Sequence, residues 1–324
     1  MKPLLAHFGS LRSTLALLAL LGAVVASRPA FAPLALVFGA LGLNLAAALF
    51  VHPALRRQLP LLVAHLALLA LVVLVGIGRL TALDGRFELT QGVPFDGTLI
   101  DAERGVLHRE RLGALAFRHE GFEIDYAAGR RRGATRNPVV WTDENGVERR
   151  AVIGDHVALV LDGHRITTTP NKGFAPILRW QGEAGAPQLG AVHLPSYPAH
   201  ELAQSRAWAL PDGREAWIQL DIDETLIDPE APARFRLPER PRLVLRVGGE
   251  RHVLALGEEA ALDGGRLRFE GLGSWMGYRI FYDPTLPWLF VAATLSALAF
   301  GMHYLIAFGG LRWRSPRTAG AQGD

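Results

Sequence analysis

His65 and His303 are the first residues that ask for a chemical explanation, because each is an ionisable side chain inside a long apolar run, at residues 59–78 and 285–311. Ionisable groups within a bilayer are costly and face a bundle interior or a cavity. At about 1.5 Å per helical residue, His65 lies about 9 Å from residue 59 and His303 about 12 Å from residue 311, at comparable depths. Two neutral imidazoles at one level could ligate iron, and an apolar pocket suits a porphyrin. Arg56 and Arg57, just below His65, could meet its propionates. The simpler reading is that each histidine bonds a neighbouring helix carbonyl and packs.

Other chemistry is largely excluded. The chain has no cysteine, so it holds no disulfide, thiolate metal site, thioether haem attachment or thiol nucleophile. Asp221-Ile222-Asp223-Glu224-Thr225 matches the D-x-D-x-T string of haloacid-dehalogenase-type phosphatases, in which the first Asp attacks and the second handles the proton. That chemistry needs a long α/β region downstream, and the following stretch reads as β before the last apolar run, so exposed acids at a hairpin end are expected. G-x-S-x-G, P-loop, H-E-x-x-H and dinucleotide fingerprints are missing. Histidines 108, 119, 156, 164, 193, 200 and 252 lack metal-like spacing and are expected at surface or strand positions.

The elements that must position the two histidines follow from hydropathy and charge. Of 324 residues, 50% are hydrophobic and 20% charged, too apolar for disorder and too charged to lie wholly in a membrane. Four stretches approach the roughly 20 residues that cross a bilayer: 13–27, 31–51 and 59–78 within residues 1–78, and 285–311. Lys2 and Arg12 before the first, and Ala30-Phe31-Ala32 after it, also fit a signal peptide, but Pro33 directly beyond argues against cleavage.

Outside residues 79–284 stand eight basic residues (Lys2, Arg12, Arg28, Arg56, Arg57, Arg312, Arg314, Arg317) and one acid, Asp324. Taking these from totals of 34 and 31 leaves 26 basic and 30 acidic residues in the middle, a net of −4. That balance offers no concentrated basic face for nucleic acid. Placing the N-terminus in the cytoplasm leaves all the short-segment basic residues inside except Arg28. Residues 79–284 then form an extracytoplasmic domain, and 312–324 a cytoplasmic tail. The domain reads as antiparallel β, with turns at Asn145-Gly146, Asp162-Gly163, Asp212-Gly213 and Gly248-Gly249. The expected fold class is therefore an integral membrane α plus all-β chain, with four transmembrane helices and one large β-rich domain between the third and fourth.

This layout is similar to the ResB (CcsB) family of System II cytochrome c biogenesis. The local likeness rests on His65-Leu66-Ala67-Leu68-Leu69 with the exit at Gly76 and Gly78, on Phe87-Glu88-Leu89-Thr90-Gln91-Gly92, and on Gly277-Tyr278-Arg279-Ile280-Phe281-Tyr282-Asp283-Pro284. The resemblance implies a bacterial inner-membrane, haem-handling subunit with a periplasmic domain, acting with a CcsA-type partner that carries a Trp-rich segment. Together the two move haem b outward and attach it to the C-x-x-C-H motif of apocytochrome c. It implies a synthetase component rather than a stand-alone enzyme, with His65 as the axial ligand and a second imidazole from the partner. His303 is a weaker candidate, and Arg56 and Arg57 are propionate contacts by position alone. The alternative is a membrane-anchored scaffold whose β-domain docks a partner or apocytochrome without binding haem.

Overall fold

The structure, a computed structural model, describes residues 2–27, 30–109, 112–200 and 203–308. Arg28, the end of the fourth expected span and the tail with Arg312, Arg314 and Arg317 lie outside the described residues. The chain forms two compact units. One comprises residues 1–83, 103–109 and 283–324, and the other residues 84–102 and 110–282.

The first unit is helical: α1 (Lys2–Phe8), α2 (Leu11–Ala26), α3 (Phe31–Val51), α4 (Pro53–Arg57), α5 (Leu59–Thr81) and α6 (Leu286–Phe308). Helices α3, α5 and α6, of 21, 23 and 23 residues, are long and apolar enough to cross a membrane, which suggests a membrane protein. Helix α2 has 16 residues, about 24 Å of helix against a hydrocarbon core of about 30 Å. Its start is set two residues before the expected span by Ser10, whose side chain accepts from the Ser13 N–H at 3.3 Å.

Packing in this unit follows small residues. A Cβ on Gly42 would meet Val73 at 3.5 Å and one on Gly76 would meet Phe38 at 3.5 Å, so α3 and α5 pack closely through glycine. Asn44, buried in α3, accepts from the Thr14 hydroxyl at 2.8 Å and donates to the Phe8 carbonyl, tying α1 and α2 to α3.

The second unit is built from antiparallel strands. In order they are β1 (Leu83–Thr90), β2 (Asp101–Arg104), β3 (Phe117–His119), β4 (Glu123–Ala127), β5 (Arg131–Thr142) and β6 (Glu148–Ile153). Then come β7 (Leu159–Leu161), β8 (His164–Gly182), β9 (Gln188–Ala191), β10 (Ser205–Ala209) and β11 (Glu215–Asp221). The last are β12 (Ala233–Arg234), β13 (Arg242–Val247), β14 (Glu250–Ala255), β15 (Glu259–Leu262) and β16 (Gly265–Tyr282).

One sheet runs β2-β1-β16-β8-β7, with β15 on β16 and β9 on β8. A second runs β10-β11-β13-β14, and a third β12-β4-β5-β3 with β6 on β5. All four expected turns close hairpins, and at Gly248-Gly249 both residues take positive φ, as a two-residue hairpin turn requires. The spine is the β8 and β16 pair, in register from Phe281 opposite Arg165 to Gly265 opposite Gly182, with two shifts that bend it.

Phe174, Leu178, Leu267 and Phe269 from this pair bury against Ile218 and Leu245 of the second sheet. Towards the other end, Phe87, Phe95, Phe117 and Tyr278 form a separate aromatic cluster, with Phe87 stacked on Tyr278 at 5.2 Å. The Tyr278 hydroxyl donates to Asn137 Oδ1 at 2.6 Å, which satisfies both buried groups.

Candidate functional site

Helix α5 begins at Leu59 with Pro60 in its first turn, where a missing N–H costs nothing. Its far end meets the start of α6: a Cβ on Gly78 would lie 2.8 Å from Thr285 Oγ1 and 3.0 Å from Asp283 Oδ2. Asp283 in turn caps α6, accepting from the Thr285 N–H at 2.9 Å and its hydroxyl at 2.6 Å. At the opposite end Leu59 and Val63 share a groove with Met302 and His303, so the two helices run antiparallel.

This groove has a volume of about 630 Å³, and Arg57 and His303 are among its lining residues beside Leu59, Val63, Leu298 and Met302. One cation, one imidazole, the Gln58 amide and otherwise apolar walls suit an amphipathic ligand with an acidic end. Arg56 is not among the lining residues. Its guanidinium instead donates to the Phe50 carbonyl at 3.1 Å, covering an open carbonyl at the end of α3.

His65 is half-buried and also lies outside the groove lining. Its Nδ1 is 2.8 Å from the Leu61 carbonyl. A carbonyl only accepts, so the proton is on Nδ1 and the lone pair is on Nε2. Metal-ligating histidines are commonly oriented in this way, by a carbonyl on the nitrogen remote from the metal. Across from His65 stands Phe300, with ring centroids 5.9 Å apart. His303 is three residues beyond Phe300, about 4.5 Å nearer the Leu59 end, and its ring lies edge-on to Tyr304 at 5.6 Å.

The structure therefore brings Arg57 and His303 to one groove and places His65 and Arg56 beside it. The residues present offer a single axial imidazole, His65, with His303 about one turn beyond the neighbouring Phe300 on α6 and the Arg57 cation in the preceding short helix α4. Among the described residues no group of three or more His, Asp or Glu is placed to hold a bare metal ion.

In the β unit, one constellation escapes sequence reasoning. Glu88 and Thr90 alternate on β1 and so share a face, and His193 lies between them. Its Nδ1 is 2.9 Å from Glu88 Oε2, and the Thr90 hydroxyl is 2.9 Å from its Nε2. The ring stacks on Trp275 at 5.2 Å, and the Trp275 indole donates to the Leu194 carbonyl at 3.0 Å. A hydroxyl, imidazole and carboxylate in this order can activate a nucleophile, but Thr90 is buried, so here the two partners fix the imidazole. No spacing rule could have joined residues about a hundred positions apart.

Other ionisable groups here are structural. His119 is buried, with Nε2 donating to the Leu89 carbonyl at 3.0 Å and Nδ1 accepting from Gly121, and burial holds its pKa below the usual 6.5. Burial likewise pushes the Lys172 ammonium down to about 8, assisted by Arg132. Asp221 and Glu224 of the phosphatase-like string pair with Arg242 and Arg236 at 2.8 and 2.5 Å, as surface acids do. No protein-family model matches the chain, and a search of curated proteins finds no match either.

Proposed function

We propose that the chain is a haem-handling subunit of a cytochrome c maturation complex in the bacterial cytoplasmic membrane, acting with a CcsA-type partner on apocytochrome c. The observation that carries the reading is His65, an imidazole within an apolar helix whose Nδ1–H is spent on Leu61 and whose Nε2 keeps its lone pair. His65 would supply one axial ligand to haem b. Arg57 would meet a propionate, and His303, on the same groove as Arg57, is the secondary candidate. When bound, haem supplies the iron centre and the macrocycle that is joined to the acceptor's thiols. The apolar walls of α5 and α6 exclude water from it and hold it at membrane depth.

In this reading α2 spans together with its flanking residues, giving four spans. Both termini and Arg57 face the cytoplasm, and the β unit is periplasmic. A haem-free scaffold is the second reading. It is favoured by Phe300, whose ring already packs against the His65 ring with centroids 5.9 Å apart.

The test is to purify the chain with its partner and record the haem absorption spectrum for wild type, His65→Ala and His303→Ala. Loss of most of the haem in His65→Ala, with a smaller loss in His303→Ala, is expected. Unchanged haem in His65→Ala overturns the ligand assignment and leaves the scaffold.

A further inference from the structure

The last turn of a helix leaves its carbonyls without partners in the helix, and water ordinarily takes them. At the Thr81 end of α5 three donors from one loop take them instead. The Leu107 N–H bonds the Leu80 carbonyl at 2.7 Å, His108 Nδ1 donates to the Thr81 carbonyl at 3.0 Å, and the Gly105 N–H bonds the Ala82 carbonyl at 2.9 Å. Only glycine fits at 105: a Cβ there would stand 2.7 Å from the Thr81 nitrogen and closer still to the Leu80 carbonyl. Residues 103–109 accordingly belong to the helical unit, although they interrupt the sequence of the β unit.

The tip of this loop has the wrong chemistry for water. The His108 N–H closes a turn on the Gly105 carbonyl at 2.9 Å, which puts Val106 and Leu107 at its two central positions. Such positions ordinarily hold Gly, Pro, Asn, Asp or Ser. Here two aliphatic side chains stand 72% and 60% exposed, between the exposed residues Arg104 and Arg109. Glu103, by contrast, is half-buried.

Helix length fixes the height of the tip. From Leu59 to Leu80, α5 rises about 32 Å at about 1.5 Å per residue, against a hydrocarbon core of about 30 Å. A loop bonded to Leu80, Thr81 and Ala82 therefore sits where hydrocarbon gives way to headgroups. The neighbouring helix agrees. Gly78 lies against Thr285, immediately before α6, and in the first turns of α6 Trp288 and Phe290 are both exposed. Tryptophan is enriched at this level of a membrane, where its apolar body meets a polar boundary.

We propose that residues 105–108 form a wedge that seats Val106 and Leu107 in the lipid leaflet at the Thr81 end of α5, with Arg104 and Arg109 at the level of the lipid phosphates. The partner is the bilayer itself. Aliphatic side chains gain by leaving water, arginine pairs with phosphate, and a helix end covered by loop donors needs no water where water is scarce. The wedge extends the apolar belt of the spanning helices into a segment that does not span, as interfacial anchors do.

The chain has no cysteine, so Val106→Cys and Leu107→Cys each carry one thiol, at an exposed side chain whose loss leaves the backbone bonds of the loop in place. Full-length protein labelled there with a nitrobenzoxadiazole fluorophore is placed in phosphatidylcholine nanodiscs. Asn145→Cys, in an exposed turn of the β unit, is the water-facing control. Lipid carrying a nitroxide near the headgroup or at the chain end reports depth, and aqueous iodide reports water. At both positions the shallow nitroxide is expected to remove about half of the fluorescence or more, with the chain-end nitroxide and iodide each removing less than half as much. The control label should respond to iodide alone.

Iodide quenching at either position equal to that of the control, equal quenching by the two nitroxides, or protection from lipid and iodide alike overturns the proposal, the last by giving the tip to a second copy or another protein. The measurement needs α5 to cross the bilayer but needs no haem, so it can fail while the His65 reading stands, and the reverse.

Discussion

His119 shows how a single buried group sets a pH limit on the β unit. Both of its nitrogens are used by backbone, which demands the neutral ring, and burial lowers its pKa below 6.5. Below pH 6.5 the unfolded chain binds a proton that the folded chain refuses, so stability falls as pH drops, by up to about 1.4 kcal/mol per unit until the folded pKa is reached. His119→Gln keeps a donor for Leu89 and removes the titration. Thermal unfolding of the two proteins by circular dichroism between pH 7.5 and 5 (roughly the window of imidazole titration) is expected to show a steeper fall for wild type. At this scale the sequence was legible only where a side chain offends its surroundings. His65 stood out because it interrupts leucines and valines. The partnership of His193 with Glu88 and Thr90 did not, because strand pairing brings it together over about a hundred residues, with no local signature.

Helix boundaries were the most legible elements, since hydropathy over some twenty residues is a strong signal. The span at 31–51 coincides with α3. The one at 59–78 runs three residues further, to Thr81, because α5 continues past Gly76 and Gly78. What hydropathy could not supply was which glycines matter. Gly78 faces the Asp283 and Thr285 cap of α6, whereas a Cβ on Gly22 would meet nothing within 4 Å. Gly78→Ala is therefore expected to destabilise the α5 and α6 pair by about 1–3 kcal/mol through overpacking, and Gly22→Ala to be close to neutral. Melting temperatures of the two variants in the same detergent check this. Equal values would show that the helix pair yields at Gly78. The hairpins were legible for a different reason: positive φ at Gly146, Gly163, Gly213 and Gly249 leaves glycine in the sequence wherever two short strands meet. The pairing of β8 with β16 was not legible, because it joins segments on opposite sides of several hairpins.

For the whole molecule, the proposed orientation has a direct readout, because the chain contains no cysteine and any introduced thiol is unique. Asn145, in an exposed hairpin turn of the β unit, replaced by Cys, is expected to react with a membrane-impermeant maleimide in spheroplasts. Gln58→Cys, at the start of α5, is expected to react only after the membrane is permeabilised. Reaction of both before permeabilisation would overturn the orientation. The β8 and β16 pair carries a further consequence. These strands of 19 and 18 residues contribute Phe174, Leu178 and Phe269 to one apolar cluster and Tyr278 to the other. Neither cluster can melt without pulling apart a ribbon that the other holds shut. The two behave as one cooperative block, so backbone amides at the two ends of the ribbon should exchange with solvent at the same rate, that of a single global opening.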